Sequence, residues 1–122
     1  MRTWIVVGLA VAVMPLLAIP AYAQTGNEML SNCETFLKDP VPQGGFFAAG
    51  LCAGYVMGMS NGLVFAQVAD PKRTAVCLPE SGYTTRQGVM ILTKYLREHP
   101  AKLNQDVALL SLPAYREAFP CQ

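Results

Sequence analysis

Apolar residues recur along this chain with the period of an α-helix, and proline and glycine separate the segments in which they do so. In the first segment, about Asn27 to Leu37, residues Leu30, Cys33 and Leu37 fall on one face of a helix. The prolines at positions 40 and 42 follow directly and predict the end of this helix.

A second and longer helix is predicted from about Phe46 to Ala69. No charged residue occurs between Val41 and Ala69, so the segment is long and apolar enough to cross a membrane. The polar residues Ser60, Asn61 and Gln67 and several glycines lower its apolarity. We therefore favour a central buried helix over a membrane span.

Four glycines of this helix, Gly50, Gly54, Gly58 and Gly62, recur every four residues. Each costs about 1 kcal/mol relative to alanine inside a helix, which suggests that the smooth stripe has a use. Another backbone could approach closely there, either within the monomer or across the seam of a homodimer. The stripe alone does not choose between these two interpretations.

The segment after residue 69 is predicted to be a loop that continues to Gly82. Thr84 and Gln87 then fit a capping box, which predicts a third helix beginning near Thr85 and ending at His99-Pro100. Its core face is marked by Val89, Leu92 and Leu96.

A fourth helix is predicted from about Ala101 to Leu112, with Leu103, Val107 and Leu110 on one face. Pro113 should break or kink this helix and open a short fifth helical turn. The pattern as a whole predicts an all-α fold, a compact bundle of four to five helices.

The first 23 residues resemble a bacterial export signal. Arg2 precedes an apolar run from Trp4 to Ile19, and Ala21-Tyr22-Ala23 is a small-x-small cleavage site. We expect cleavage after Ala23, a mature domain of residues 24–122 and a periplasmic location. An uncleaved anchor is the alternative, but the run is short and two prolines interrupt it.

Four cysteines, Cys33, Cys52, Cys77 and Cys121, follow the predicted cleavage site. Thiols oxidise in that compartment, so two disulfides are expected rather than a nucleophile or a metal site. The short connection between the first two helices favours a Cys33–Cys52 bond. The antiparallel arrangement of the last two helices favours Cys77–Cys121.

Charge and chemistry exclude several function classes. Loss of Arg2 leaves eight basic and eight acidic residues, and a neutral chain is a poor partner for nucleic acid or anionic membranes. The single histidine, His99, suits a structural role at a helix end. No cofactor or metal site is predicted. An enzyme using acids such as Glu34 and Asp70 is the weakest hypothesis.

Several short motifs occur in a fixed order along the mature chain. They are Cys52-Ala53-Gly54-Tyr55-Val56-Met57-Gly58, Val76-Cys77-Leu78-Pro79, Gln87, Lys94-Tyr95-Leu96, His99-Pro100 and Ala118-Phe119-Pro120-Cys121. In this order they resemble the Rap/Tai immunity family, periplasmic proteins that protect bacteria from peptidoglycan-cleaving amidases delivered by type VI secretion. The resemblance covers about Leu30 to Cys121.

The resemblance implies an all-helical, disulfide-linked fold and a tendency to form homodimers. It also implies inhibition by occlusion, in which a surface element enters the active-site groove of the amidase. Pro113 departs from the family pattern, which continues its last helix through a small residue. The positions that match the family motifs are Cys52, Cys77 and Cys121 among the cysteines, and Gly54, Tyr55 and Gly58 for helix packing.

The leading hypothesis is therefore an immunity protein, not an enzyme, that binds an amidase effector through a rigid exposed loop. The alternative is a small periplasmic acid-stress chaperone or general envelope stress protein, which would expose apolar surface when acid dissociates a dimer. The candidate partner-binding residues lie in two stretches of the connection between the second and third helices: Asp70, Lys72, Arg73, Glu80, Ser81 and Tyr83.

Overall fold

The computed structural model describes residues 24–122; the predicted leader, with its cleavage after Ala23, lies outside the described residues. Within this range the chain forms four α-helices, two short 3-10 turns and no strand. The all-α fold with two disulfides is confirmed. The helices are α1 Gly26–Leu37, α2 Phe46–Ala69, α3 Thr85–Glu98 and α4 Val107–Ala118, and the 3-10 turns are Gln43–Gly45 and Pro100–Lys102.

Two helices begin at capping boxes. The hydroxyl of Thr84 accepts a hydrogen bond from the backbone of Gln87 at 3.2 Å, and the Gln87 side chain accepts one from the Thr84 backbone at 2.7 Å. This confirms the predicted start of α3. Thr25 and Glu28 form the same arrangement at α1, where Thr25 N donates to Glu28 Oε2 at 2.8 Å. Both pairs satisfy backbone donors that a helix start leaves free.

The fourth helix begins later than predicted, at Val107 instead of Ala101. Asp106 is the cap that decides its start, because its carboxylate accepts a hydrogen bond from Ala108 N at 2.8 Å. The backbone of Val107 donates to Gln24 O at 2.9 Å, which ties this end of α4 to the chain before α1. The segment after His99 forms a 3-10 turn instead.

The predicted break at Pro113 was wrong, because α4 continues through this residue to Ala118. Proline lacks a backbone donor and costs about 3 kcal/mol inside a helix. Apolar burial on both sides opposes this cost: Leu110, Ala114 and Tyr115 are buried. The packing of α4 therefore holds the helix across a residue that would end it in isolation.

The core lies around α3, which contacts the other three helices. Its predicted core residues Val89, Leu92 and Leu96 are all fully buried, as expected from their spacing. The other helices each contribute residues to the same cluster: Met29 and Cys33 from α1, Cys52 and Val56 from α2, and Val107, Leu110 and Ala114 from α4.

The prediction that α2 is the central buried helix was wrong. Only Ala49, Cys52 and Val56 are buried among its 24 residues. The neighbouring helices have only 12 to 14 residues each, and α2 packs mainly on α1 and α3 along one side, so its other side and much of its C-terminal half stay exposed. By length and composition, Gln43–Ala69 is the one candidate membrane span among residues 24–122.

Both predicted disulfides are present. Cys33–Cys52 joins α1 to α2, and Cys77–Cys121 joins the connection after α2 to the segment after α4; each brings its Cα atoms to 5.0 Å. Cys33 and Cys52 are 0% exposed, whereas Cys121 is at the surface. The two bonds therefore differ in the access that a reductant has to sulfur.

This difference predicts the order in which the disulfides are reduced. In the native state, mild reductant should open Cys77–Cys121 first, since attack on a disulfide requires access to a sulfur atom. Timed alkylation followed by peptide mass spectrometry checks this, with fully denatured protein as the control. Equal labelling of Cys33 and Cys121 throughout the native time course would contradict it.

Candidate protein-binding surface

The connection from Asp70 to Thr84 is held to the bundle at several points. Besides the Cys77–Cys121 bond, Cys77 N donates to Phe119 O at 3.0 Å, and Leu78 N donates to Gln67 Oε1 at 3.1 Å. Connections of this length are usually mobile unless side chains or cross-links fix them. These contacts present its exposed residues from a fixed base.

The first predicted stretch forms a charged tip at the end of α2. Asp70 Oδ1 accepts a hydrogen bond from Lys72 N at 3.3 Å, and Arg73 Nε lies 3.7 Å from Asp70 Oδ2. The Arg73 side chain is 88% exposed. An ion pair this exposed stabilises the fold little, so the cationic groups of Lys72 and Arg73 are available to a partner.

The second predicted stretch is a tight turn with Glu80 and Ser81 exposed on it. Gly82 N donates to Pro79 O at 2.9 Å and closes the turn. Gly82 has a φ of 70°, a conformation that side chains disfavour and glycine adopts freely. Glycine at this position therefore sets how Glu80 and Ser81 are presented.

Tyr83 has a different environment from the other predicted loop residues. Its hydroxyl donates to Ser60 Oγ at 2.7 Å, and its ring packs 5.1 Å from that of Phe119 and 6.1 Å from that of Tyr115. The side chain is only partly exposed. Tyr83 thus anchors the connection to α2 and α4, and only part of it is open to a partner.

The sequence analysis missed an apolar groove along the outer side of α3. Met90 and Ile91 separate two shallow cavities of ≈ 490 Å³ and ≈ 360 Å³. Met90 and Ile91 are apolar although they lie outside the core face of α3, and this departure from the helical pattern is the signal that could have revealed the groove. The first cavity is completed by Leu37, Thr93, Lys94, Arg97 and Glu98, and the second by Pro79, Gly82, Tyr83, Gln87 and Phe119.

Charged residues border this groove. Arg97 pairs with Glu34 of α1, with Nη2 and Nε each 3.0 Å from Glu34 Oε1, and Lys94 Nζ lies 4.0 Å from Glu98 Oε1. All four side chains are substantially exposed, so these pairs add little stability. An apolar floor with a charged rim is the usual composition of a protein-binding surface.

The glycine stripe of α2 faces away from the bundle. At Gly50, Gly54, Gly58 and Gly62, no other part of the described chain lies within 4 Å of the place a Cβ would occupy. The stripe therefore makes no close contact within residues 24–122. Its role at a homodimer seam remains a prediction.

Close helix contact within the monomer occurs at Gly88 of α3 instead. A Cβ there would lie 2.7 Å from Val56 Cγ1 and 2.9 Å from the Tyr115 hydroxyl. Tyr55, in contrast to the glycines beside it, does join helices: its hydroxyl and Ser111 Oγ are 2.8 Å apart. This hydrogen bond links α2 to α4.

Burial changes the acidity of two tyrosines. It raises the pKa of Tyr55, although the hydrogen bond with Ser111 opposes the change. It raises the pKa of Tyr115 much further, and the neighbouring Tyr83 adds to the effect. The Tyr115 hydroxyl is buried without a hydrogen-bond partner among the described residues. Both hydroxyls therefore stay neutral at ordinary pH.

The single histidine also contacts its own helix. His99 Nδ1 lies 2.8 Å from Tyr95 O and its ring stacks at 3.9 Å on that of Tyr95, which places it against a carbonyl at the end of α3, as predicted. Residues 24–122 contain no group of three histidine, cysteine or acidic side chains that could hold a metal ion. The described surface features suit protein recognition.

The described residues form a small helical domain with two disulfides, and its connection after α2 and the groove of α3 are candidate surfaces for binding another protein. The sequence profile of the Rap1a immunity proteins matches residues 25–121, nearly all of the described chain, and the chain belongs to this family. The resemblance seen in the sequence motifs is thereby confirmed. No curated protein and no solved structure matches the chain significantly. Membership and the disulfides indicate a secreted or periplasmic protein that binds a cognate effector.

Replacement of Tyr115 by phenylalanine should reduce the loss of folding stability at alkaline pH. With a folded pKa above the unfolded value, the tyrosine stabilises the fold fully below about pH 10, and this stability is lost as pH rises further. Tyr115→Phe should therefore unfold less readily above pH 10, with stability near neutral pH equal or slightly higher because an unpaired hydroxyl is gone.

Denaturant unfolding at pH 7 and pH 10.5 checks this. Tyr55→Phe is the matched control and should lose about 1 kcal/mol at pH 7 through its lost hydrogen bond to Ser111. A large loss of stability for Tyr115→Phe at pH 7 would contradict the described environment of the hydroxyl.

Proposed function

We propose that this protein is a periplasmic immunity protein that binds and occludes the active site of a peptidoglycan-cleaving amidase effector of type VI secretion. The family match over residues 25–121 carries the proposal. We further propose that the chain is not an enzyme. Its effect on the amidase would come from the surface it presents, and the family it belongs to typically protects by binding.

The anchored connection from Asp70 to Thr84 is the element we propose to enter the amidase groove. A loop that blocks a groove binds more tightly when it is already ordered, because ordering a mobile loop costs free energy on binding. The contacts at Cys77, Leu78 and Tyr83 supply this rigidity. Lys72, Arg73, Glu80 and Ser81 are the exposed groups on the projection.

The apolar groove of α3 extends the proposed surface. Its second cavity shares Gly82 and Tyr83 with the projection, so both features belong to one continuous side of the molecule. Exposed Met90 in the groove can supply the apolar area that central interface residues usually provide. We propose that the amidase contacts both, with the charged tip at the edge.

Location in the periplasm follows from the same proposal. Peptidoglycan lies in that compartment, and an inhibitor must meet the amidase there to protect the cell. Two disulfides persist in an oxidising compartment and are rare in the cytosol. Export through the predicted leader, with cleavage after Ala23, completes this account.

A direct test measures inhibition. Purified mature chain, residues 24–122 with both disulfides formed, should abolish peptidoglycan cleavage by the amidase effector encoded beside its gene at equimolar concentration, because occlusion needs one bound copy per active site. Chromatography of released peptides provides the measurement. An amidase without a matching immunity gene is the specificity control. Full cleavage in the presence of excess chain would refute the proposal.

Charge reversal at the tip tests the binding surface. Lys72→Glu with Arg73→Glu should weaken amidase binding at least about ten-fold, because opposed charges at an interface lower both encounter rate and affinity. Arg116→Glu, an exposed change on α4, should leave binding unchanged. Calorimetric titration gives the affinities and circular dichroism verifies the fold. Equal affinities for the tip variant and the control would show that the tip is not part of the interface.

We also propose that the chain forms a homodimer. The charge-free, exposed side of α2 supports this, since apolar surface of such extent is uncommon on isolated monomers.

The same exposed apolar surface of α2 is the one observation that favours the alternative function, a chaperone that captures unfolded clients. Client binding that rises sharply below about pH 3, when carboxyl groups are protonated, would distinguish the chaperone from the immunity protein.

A further inference from the structure

The outer side of α2 carries an unbroken heptad pattern. Starting at Phe47, steps of three and four residues alternate to the end of the helix. All the positions reached are exposed in the monomer. Within an exposed helix, such a repeat defines a narrow seam that faces a second helix in coiled-coil packing. The outer seam consists of Phe47, Gly54, Asn61 and Val68 at the first heptad position, and Gly50, Met57 and Val64 at the second.

Side-chain size is distributed unevenly along the outer seam. The N-terminal half holds Gly50 and Gly54, where nothing lies within 4 Å of a Cβ position. The C-terminal half holds Val64 and Val68, with Phe65 beside them, all at least half exposed. Phe47 closes the N-terminal end of the seam, the stretch around Gly50 and Gly54 is thus a trough, and the stretch from Val64 to Val68 is a ridge. A parallel pair would place trough on trough, whereas an antiparallel pair places each ridge in the opposite trough, with Val68 against Phe47 at its end.

We propose that the outer seam of α2 pairs antiparallel with the same seam of a second copy of this chain. In a pair centred near Met57 and Gly58, Phe65 of each copy packs over Gly50 of the other. Asn61 of each copy then faces Gly54 of the other. Because Gly54 has no side chain, the Asn61 amide of the other copy can reach the backbone carbonyls around Gly54. A polar residue at a seam position fixes the register of the two helices.

The available area is sufficient for a specific interface. Phe47, Met57, Val64, Phe65 and Val68 are 51–79% exposed. At about 150–200 Å² for each full side chain, they offer roughly 600 Å² per copy, or roughly 1,200 Å² for the pair. Specific interfaces begin near 1,000 Å². The seam and its edge alone therefore reach this size.

Charge argues for a second copy over a membrane or the amidase as the occupant. No charged residue lies between Val41 and Ala69, so two copies meet without repulsion. Helices that lie on membrane surfaces carry basic residues on their polar side, and α2 has none. The charged tip and the bordered groove of α3, which we assign to the amidase, lie outside the seam. This inference rests on the homodimer of the proposed function and locates its interface.

Sedimentation velocity of the mature, oxidised chain over a concentration series tests the pairing. The native chain should be a dimer. Gly54→Leu, which fills the trough, and Phe65→Asp, which charges the ridge, should each weaken dimerisation at least about thirty-fold, as central interface residues do. Of the four stripe glycines only Gly50 and Gly54 fall on the heptad positions, so Gly62→Leu lies off the seam, and Leu109→Asp lies on exposed α4; both controls should remain dimers.

Cross-linking tests the orientation. An added cysteine in Met57→Cys lies near the centre of an antiparallel pair and should link two copies on oxidation. In Val68→Cys the two added cysteines lie about 30 Å apart and should not link. Linking of both variants would indicate a parallel pair and overturn the proposed orientation.

Other outcomes separate this inference from the amidase proposal. A native chain that stays monomeric overturns the dimer, whatever the inhibition assay shows. A dimer that Gly54→Leu and Phe65→Asp leave intact overturns its location in the outer seam. Loss of amidase binding by Phe65→Asp with no change in sedimentation would assign the seam to the amidase. Binding of the native chain to phosphatidylglycerol vesicles in place of self-association would assign it to a membrane.

Discussion

The disulfide between Cys33 and Cys52 holds a long apolar helix against a core that covers only one side of it. α1, α3 and α4 are each about half as long as α2 and bury just Ala49, Cys52 and Val56 of its residues. A helix this apolar would otherwise be free to associate elsewhere. The covalent bond to α1 and the Tyr55–Ser111 hydrogen bond to α4 fix which side of α2 faces inward. The exposed side of α2, with its glycines and large apolar residues, follows from that choice.

Local signals in the sequence predicted most of the helices, and long-range packing explains the rest. Thr84 and Gln87 mark the start of α3 because a capping box acts within one turn. Periodicity likewise found Val89, Leu92 and Leu96. Pro113 could not be judged in this way, since its tolerance depends on the burial of Ala114 and Tyr115 against other helices.

The burial of α2 escaped prediction for a related reason. A helix that is apolar on all sides has no periodic signal to tell its inner face from its outer one. In the candidate site too, local sequence signals predict some features and long-range packing determines the others. Exposure of Lys72, Arg73, Glu80 and Ser81 follows from their polar, glycine- and proline-rich context. The packing of Tyr83 against Phe119, and the meeting of its loop with the groove of α3, join residues far apart in the chain.

The two cross-links also set an order of assembly. A chain crossing a membrane from its N-terminus delivers Cys33 and Cys52 within 19 residues of each other, so α1 and α2 can be joined while later helices are still inside. Cys77 must wait for a partner 44 positions further on. The connection after α2 therefore gains its covalent anchor only once the C-terminal segment has followed. In a chain exported from its N-terminus, the bond that joins α1 to α2 can therefore form before the bond that anchors the proposed binding surface.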